Sequence, residues 1–202
     1  IPFHPMHELK IGIVGYGWAA TAHIEAFKEV NGASIAAICS RRELDAGELE
    51  KEHGIPLKIY TDYTKMLADP EIGAIDICTP PSLHADFAIA AADAGKHVII
   101  EKPIAMSFED CLRVKQALDR NQVQGAVCFE CRYSKHFTLI RSMIDQDLLG
   151  EIHYAEVDYY HGIGPWYGQF EWNVKKEHGG SSLLTAGCHA LDAMLYFMDS
   201  PV

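Results

Sequence analysis

From Leu9 onward the chain alternates short apolar runs with amphipathic stretches, and that rhythm leaves few folds open. Leu9 to Val14, Ala33 to Cys39, Ala74 to Cys78, His97 to Ile100 and Gln124 to Phe129 read as buried strands. Between them the spacing predicts helices over Trp18 to Val30, Glu43 to His53, Thr64 to Leu67, His84 to Ala94 and Phe108 to Asn121. Asn31-Gly32, Gly54, Asp69-Pro70, Thr79-Pro80-Pro81 and Gly95 punctuate the series. Apolar strands separated by helices pair in parallel, with helices covering both faces of the sheet.

After Arg132 the pattern changes. The spacing predicts a helix from His136 to Leu148, a half-exposed strand from Ile152 to Tyr160, an aromatic, glycine-bearing loop, and a helix from Ser181 to Phe197. One strand with two helices cannot bury its own sheet face. Residues 1–132 are therefore expected to form one domain, and residues 133–202 the first part of an α+β domain with further strands after Val202. The first seven residues, Ile1 to His7, read as a loose extension without the apolar core of a signal peptide, and the missing initiator Met points to a trimmed start.

Composition narrows the function classes. Lys+Arg 17 against Asp+Glu 28 gives a net charge of −11, which argues against a nucleic-acid surface built from clustered cations. No apolar run reaches the ~18 residues that span a bilayer, so no membrane partner is expected. Of six cysteines, Cys128 and Cys131 form a C-x-x-C on what reads as a strand, where residues three apart face opposite sides and cannot easily share a metal. Free thiols in a reduced, cytoplasmic protein without a metal are the expectation.

Gly15-Tyr16-Gly17-Trp18-Ala19-Ala20 follows a strand and opens a helix. The first glycine permits a tight turn, the second lets backbone approach a pyrophosphate, and Ala20 lets helix and strand pack closely. The helix start offers free N–H groups and a positive dipole end to phosphates. The fold is thus expected to be α/β, a Rossmann doubly wound sheet that binds a dinucleotide. At the end of the second strand, where NAD-preferring sites carry an acidic residue, stand Ser40, Arg41 and Arg42. Serine removes the repelling carboxylate and arginine can pair with a 2′-phosphate, which favours NADP over NAD.

Lys102 follows four buried strand residues and precedes Pro103, at the sheet end where such folds bind ligands. An ammonium there can polarise a substrate oxygen. These residues carry a resemblance. Gly15-Tyr16-Gly17 with Ala20, Thr79-Pro80-Pro81 with His84, and Gly95-Lys96-His97-Val98 running into Glu101-Lys102-Pro103 resemble the Gfo/Idh/MocA oxidoreductases. Gly179 to His189 with Asp192 is similar to a helix of that family's second domain.

The resemblance implies a Rossmann domain paired with an open mixed sheet, and NAD(P)-dependent oxidation or reduction of sugars, polyols or related carbonyl compounds. It implies that Lys102 contacts the reacting oxygen, that the Lys102–Pro103 bond is cis, and that His189 acts as acid/base. Thr79, Pro80, Pro81, His84 and Glu101 would line the cofactor crevice. A homo-oligomer, dimer or tetramer, through the second-domain sheet is implied as well. One position departs from the family: Thr185 stands where many members carry Asp, and threonine cannot hold negative charge at neutral pH. The dyad is then weakened or built differently, from Lys102 and His189 alone or with Asp192 orienting the histidine.

Between Tyr159 and Trp172 the aromatics Trp166 and Trp172 suit stacking on sugar rings, though a packing loop explains them equally. Arg132, at the domain junction, and Asp192 are further candidates for contact with substrate. Two other functions fit the same residues: a non-catalytic dinucleotide sensor, which Thr185 keeps open, and a glycoside-cleaving enzyme that retains and recycles its nicotinamide.

Overall fold

The computed structural model describes residues 8–198; the extension Ile1–His7 lies outside the described residues. Contacts divide the chain into two compact units between Val127 and Cys128.

The first unit is built on a six-stranded sheet. β1 (Leu9–Val14), buried over its last four residues, pairs in parallel with β2 (Ala33–Cys39) on one side and β4 (Ala74–Ile77) on the other. β3 (Lys58–Tyr60) adds to β2 and β5 (His97–Glu101) to β4, also in parallel. With β6 (Gly125–Cys128) the order is β3-β2-β1-β4-β5-β6. The chain winds outward from β1 to β3, returns, and winds the other way from β4 to β6. The reversal lies between β1 and β4, and a crevice beyond their carboxyl ends is where such sheets take ligands.

Helices α1 (Trp18–Phe27), α2 (Ala46–His53), α3 (Tyr63–Leu67), α4 (His84–Asp93) and α5 (Phe108–Asn121) form the crossovers. One core gathers Ile11, Ile13, Ile35 and Ile38 with Ala20 and Ile24 of α1 and Leu49 of α2. The other gathers Val14, Ile75, Ile77, Val98 and Ile100 with Met66 of α3, Ala88 and Ala91 of α4 and Val114 of α5. Fully burying each such isoleucine contributes on the order of 2 kcal/mol of transfer free energy.

Caps decide where helices begin. α2 starts later than the spacing suggested because Asp45 accepts the Glu48 N–H at 2.8 Å and so serves as the N-cap; Gly54, at φ +69°, ends it. α5 covers the expected residues, capped by Ser107, which accepts from the Asp110 N–H.

The sequence pattern missed β3, three residues with a lysine at the start. Asp69, in the turn after α3, holds it: its Oδ2 accepts from Lys58 Nζ at 2.8 Å and from the Tyr60 hydroxyl at 2.5 Å.

In the second unit a 3-10 turn (Glu130–Tyr133) leads into α6 (Lys135–Asp145). Two single-turn helices follow, α7 (Phe170–Asn173) and α8 (Lys176–Gly179), and then a π-helical turn (Leu183–Gly187) that runs into α9 (Cys188–Met198). Two expectations are corrected here. Residues 152–160 form no strand: alternation gives a chain two faces, but a strand also needs a neighbour's N–H and C=O groups, and no described residue beyond Cys128 lies in one. Cys128 and Cys131 do not share a strand either, since β6 ends at Cys128 and Cys131 sits in the 3-10 turn. All six cysteines are thiols. Among the described residues no helix is long and apolar enough to cross a membrane.

The Lys58 ammonium and the Tyr60 hydroxyl hold the Asp69 carboxyl well below the usual carboxylate range. A depressed acid adds stability above its unfolded pKa of about 4, and that stability fades as pH falls toward the folded value. Urea unfolding should therefore show Asp69→Asn less stable than the parent at pH 7, with the gap narrowing steadily below pH 4; a gap independent of pH would exclude this role.

Candidate active site

Gly15 takes φ +91°, and a Cβ there would stand 2.7 Å from the Cys78 carbonyl oxygen and 2.9 Å from its carbon. Glycine is demanded by the fold at that point. Gly17 is different. Its backbone is extended, a conformation any residue adopts, and a Cβ would meet nothing within 4 Å. It is the N-cap of α1 and brings no side chain to cap the helix, so the N–H groups of the first turn open onto that space. A phosphate fits there: the cradle is one that a side chain on Gly17 would fill. Behind it Ala20 is fully buried against the sheet.

The turn is clamped from the β2 side. The Arg42 guanidinium donates to the Tyr16 carbonyl and stands 5.9 Å from the centre of the Tyr16 ring. The Tyr16 hydroxyl lies 2.9 Å from His53 Nε2, and His53, buried on α2, reaches Glu25 through Nδ1 at 3.1 Å. Ser40 is buried and accepts the Arg42 N–H at 3.1 Å, whereas Arg41 and Trp18 are exposed. His53 and Glu25 escaped the sequence reading because nothing local marks a through-space clamp. Ala19 lies in the first turn of α1 as expected.

Thr79 follows the end of β4, and its buried hydroxyl oxygen has no partner; its methyl lies 3.1 Å from the position of a Gly15 Cβ. Pro80 and Pro81 lead into a 3-10 turn (Pro81–Leu83) and then His84. His84 is 1% exposed, with Nε2 2.8 Å from the Thr79 carbonyl and Nδ1 2.7 Å from the Pro103 carbonyl. Burial pushes its pKa below the ordinary histidine value, outweighing the two carbonyls that favour the charged ring. His84 thus stands between two turns, within hydrogen-bond distance of a carbonyl on each. The peptide between Lys102 and Pro103 is cis. Glu101 closes β5, and its Oε2 accepts the Lys102 N–H at 3.2 Å.

A cleft of about 550 Å³ lined by Lys10, Phe27, Lys28, Ile35, Pro56 and Lys58 opens at the other end of the strands. Its lysines pair with Glu71, Glu25 and Asp69, so it presents no convergent unpaired charge.

The second unit holds His189, buried at the start of α9. Cys131 Sγ lies 3.8 Å from its Nδ1, Glu130 Oε1 lies 3.7 Å from its Nε2, and the Tyr159 ring stacks on it at 5.4 Å. Asp192 was expected either to orient His189 or to meet substrate, and Arg132 to line the pocket. Instead the Arg132 fork donates to both Asp192 oxygens, at 2.8 and 2.5 Å, and its cation stands 5.3 Å from the Tyr196 ring centre. The pair ties the 3-10 turn to α9. Thr185 is buried in the π-helical turn and donates its hydroxyl proton to the Ser181 carbonyl at 3.1 Å. Trp166 is exposed, and Trp172 is half-buried on α7.

Residues 9–129 match the Gfo/Idh/MocA oxidoreductase family, NAD-binding Rossmann fold, and residues 137–202 match the Gfo/Idh/MocA C-terminal domain. The chain is 28% identical over 149 residues to myo-inositol 2-dehydrogenase of Thermotoga maritima, covering 74% of this chain and 44% of that protein. It is 25% identical over 179 residues to a glycosyl hydrolase family 109 protein of a Shewanella species, covering 85% and 38%. The solved complex of levoglucosan dehydrogenase with NADH and levoglucosan superposes with a TM-score of 0.83 at 27% identity, covering 94% of this chain and 54% of that one. The chain thus spans less than half the length of these two curated relatives.

The two glycines should separate when substituted. Gly15→Ala forces a Cβ into left-handed backbone and against a carbonyl, costing about 1–3 kcal/mol from the backbone strain alone. Gly17→Ala should leave the melting temperature unchanged and weaken NADH and NADPH binding, read by fluorescence titration, by about tenfold or more. Equal melting temperatures for both variants would refute the assignment.

Proposed function

The chain belongs to the Gfo/Idh/MocA oxidoreductase family, and from that premise we propose that the protein carrying it oxidises or reduces a sugar, a polyol or a related carbonyl compound with NAD(P). The observation that carries this reading is the uncapped start of α1 behind Gly17, at the same sheet end to which β5 delivers Lys102. Bound at that turn, NAD(P) supplies the group that takes up or gives back a hydride. Lys102 holds the reacting oxygen, its ammonium placed where alkoxide charge develops. His189 takes the hydroxyl proton in oxidation and returns it in reduction. Thr185, with its proton committed to Ser181, supports the turn that carries His189 instead of acting as a base.

Substrate class rests on the aromatic stretch that includes Trp166 and Trp172 and on the names of the inositol and levoglucosan dehydrogenases. Ser40 and exposed Arg41 favour NADP, since Arg42 is engaged by the Tyr16 carbonyl. A reduced cytoplasmic setting and a homo-oligomer through the second domain belong to the same proposal. A second reading, glycoside cleavage with a retained nicotinamide, is favoured by the likeness to the Shewanella glycosyl hydrolase family protein.

The test is absorbance at 340 nm with the full-length protein, NAD⁺ or NADP⁺, and a panel of sugars and polyols. Turnover is expected, and Lys102→Ala should lower kcat by about 10²–10³-fold while dinucleotide affinity stays within about twofold. Nicotinamide retained through purification, with glycoside cleavage and no net turnover of added NAD(P), would replace this reading by the second.

Arg41→Ala should weaken NADPH by about tenfold, the worth of one exposed charge-assisted contact, and leave NADH unchanged. A parent protein without preference, or a variant that keeps it, refutes the NADP assignment.

A further inference from the structure

One histidine in the first unit is held between two acids at the sheet end that carries Lys102. His23, on α1, places Nδ1 2.7 Å from Asp76 Oδ2 and Nε2 3.1 Å from Glu101 Oε1. Asp76, on β4, is 0% exposed, and Glu101 ends β5. A neutral imidazole donates from one nitrogen only; the imidazolium donates from both, and only that form satisfies two carboxylates at once. A buried Asp76 carboxylate in turn demands such a partner.

Cys78 completes the cluster, its Sγ 3.7 Å from Asp76 Oδ1 and 3.6 Å from His23 Nδ1. Burial pushes this thiol up to about 12, so it stays protonated at neutral pH and can donate weakly to Asp76. The donor atoms of His23, Asp76 and Cys78 lie within 4.8 Å of one another, a spacing that a metal could also use. The 2.7 Å contact between His23 and Asp76 is instead an ordinary charge-assisted hydrogen bond, which needs no ion to explain it.

The bridge does not stop at Glu101. While Oε1 meets His23, Oε2 accepts the backbone N–H of Lys102. We propose that His23 is a positioning residue: anchored by Asp76, it fixes the Glu101 carboxylate, which in turn fixes the backbone from which the Lys102 side chain extends. The proposal rests on the reading of Lys102 given above. It also gives Glu101 a task of its own, holding the turn without touching the reacting atoms.

The experiment uses the full-length protein with His23→Gln, Glu101→Gln, the double variant and Lys102→Ala. Glu101→Gln keeps the His23–Asp76 pair, so it is expected to fold even if His23→Gln fails to because it takes the imidazole from the buried Asp76. Loss of the brace should lower kcat by about 10- to 100-fold, the cost of a misplaced reacting group, with the KM for dinucleotide within about twofold. The double variant should be no worse than the more damaging single, because both break one bridge. A merely structural role would instead lower the melting temperature and raise that KM together, and this outcome overturns the proposal. So does strictly additive loss, or stabilisation of the parent but not of Cys78→Ser by zinc chloride. Impaired Lys102→Ala beside unimpaired Glu101→Gln sinks the brace alone; unimpaired Lys102→Ala sinks the assignment of the lysine on which it rests.

Discussion

The end of β4 passes so close beneath Gly15 that no side chain could stand there, and the first unit's ligand end follows from that approach. The Gly15 N–H donates to the Cys39 carbonyl at 2.9 Å, and the Cys78 N–H donates to the Val14 carbonyl at 2.9 Å. Three strand ends are thereby laced together at one turn. Because the turn is tight, α1 starts immediately, and its first N–H groups point beyond the carboxyl ends of the strands instead of into the core. Helix dipole and strand topology then favour the same end of the sheet for an anion.

Most of the first unit was legible in the residues, for a physical reason. An internal parallel strand is covered on both faces and runs nearly unbroken in apolar residues, so Leu9 to Val14 and Ala74 to Ile77 announce themselves despite Lys10 and Asp76. β3 did not, because an edge strand of three residues is set by what holds it, here Asp69 through Lys58 and Tyr60. The error at Ile152 to Tyr160 has the opposite cause. Alternation is a property of the segment, whereas pairing is a property of two segments, and only the first can be read from one of them.

The same division runs through the site. Gly15, Gly17 and Lys102 stand where the residues placed them, because local geometry sets each position: a positive φ, a bare helix start, a strand end before proline. Arg132 and Asp192, sixty positions apart, were each read as substrate contacts because neither carries a mark of the other; in the fold they satisfy each other. His84 was read from its sequence neighbours, which give no sign of the Pro103 carbonyl at one of its nitrogens. Buried polar side chains are assigned by their partners, and long-range partners leave no trace in spacing.

Charge disposition in the second unit bears on what Thr185 means. Its hydroxyl closes a bond to Ser181 within the π-helical turn, so it stabilises local backbone and contributes no charge. Asp192 accepts from both arms of the Arg132 guanidinium, whose own pKa is raised by that hydrogen bonding. Both groups therefore stabilise the ground structure of the unit. His189 lies outside that pair: Tyr159 stacks on its ring, Cys131 Sγ stands near Nδ1 and Glu130 near Nε2. Where the family usually carries an aspartate, the Thr185 hydroxyl thus adds a local bond to backbone in place of a charge.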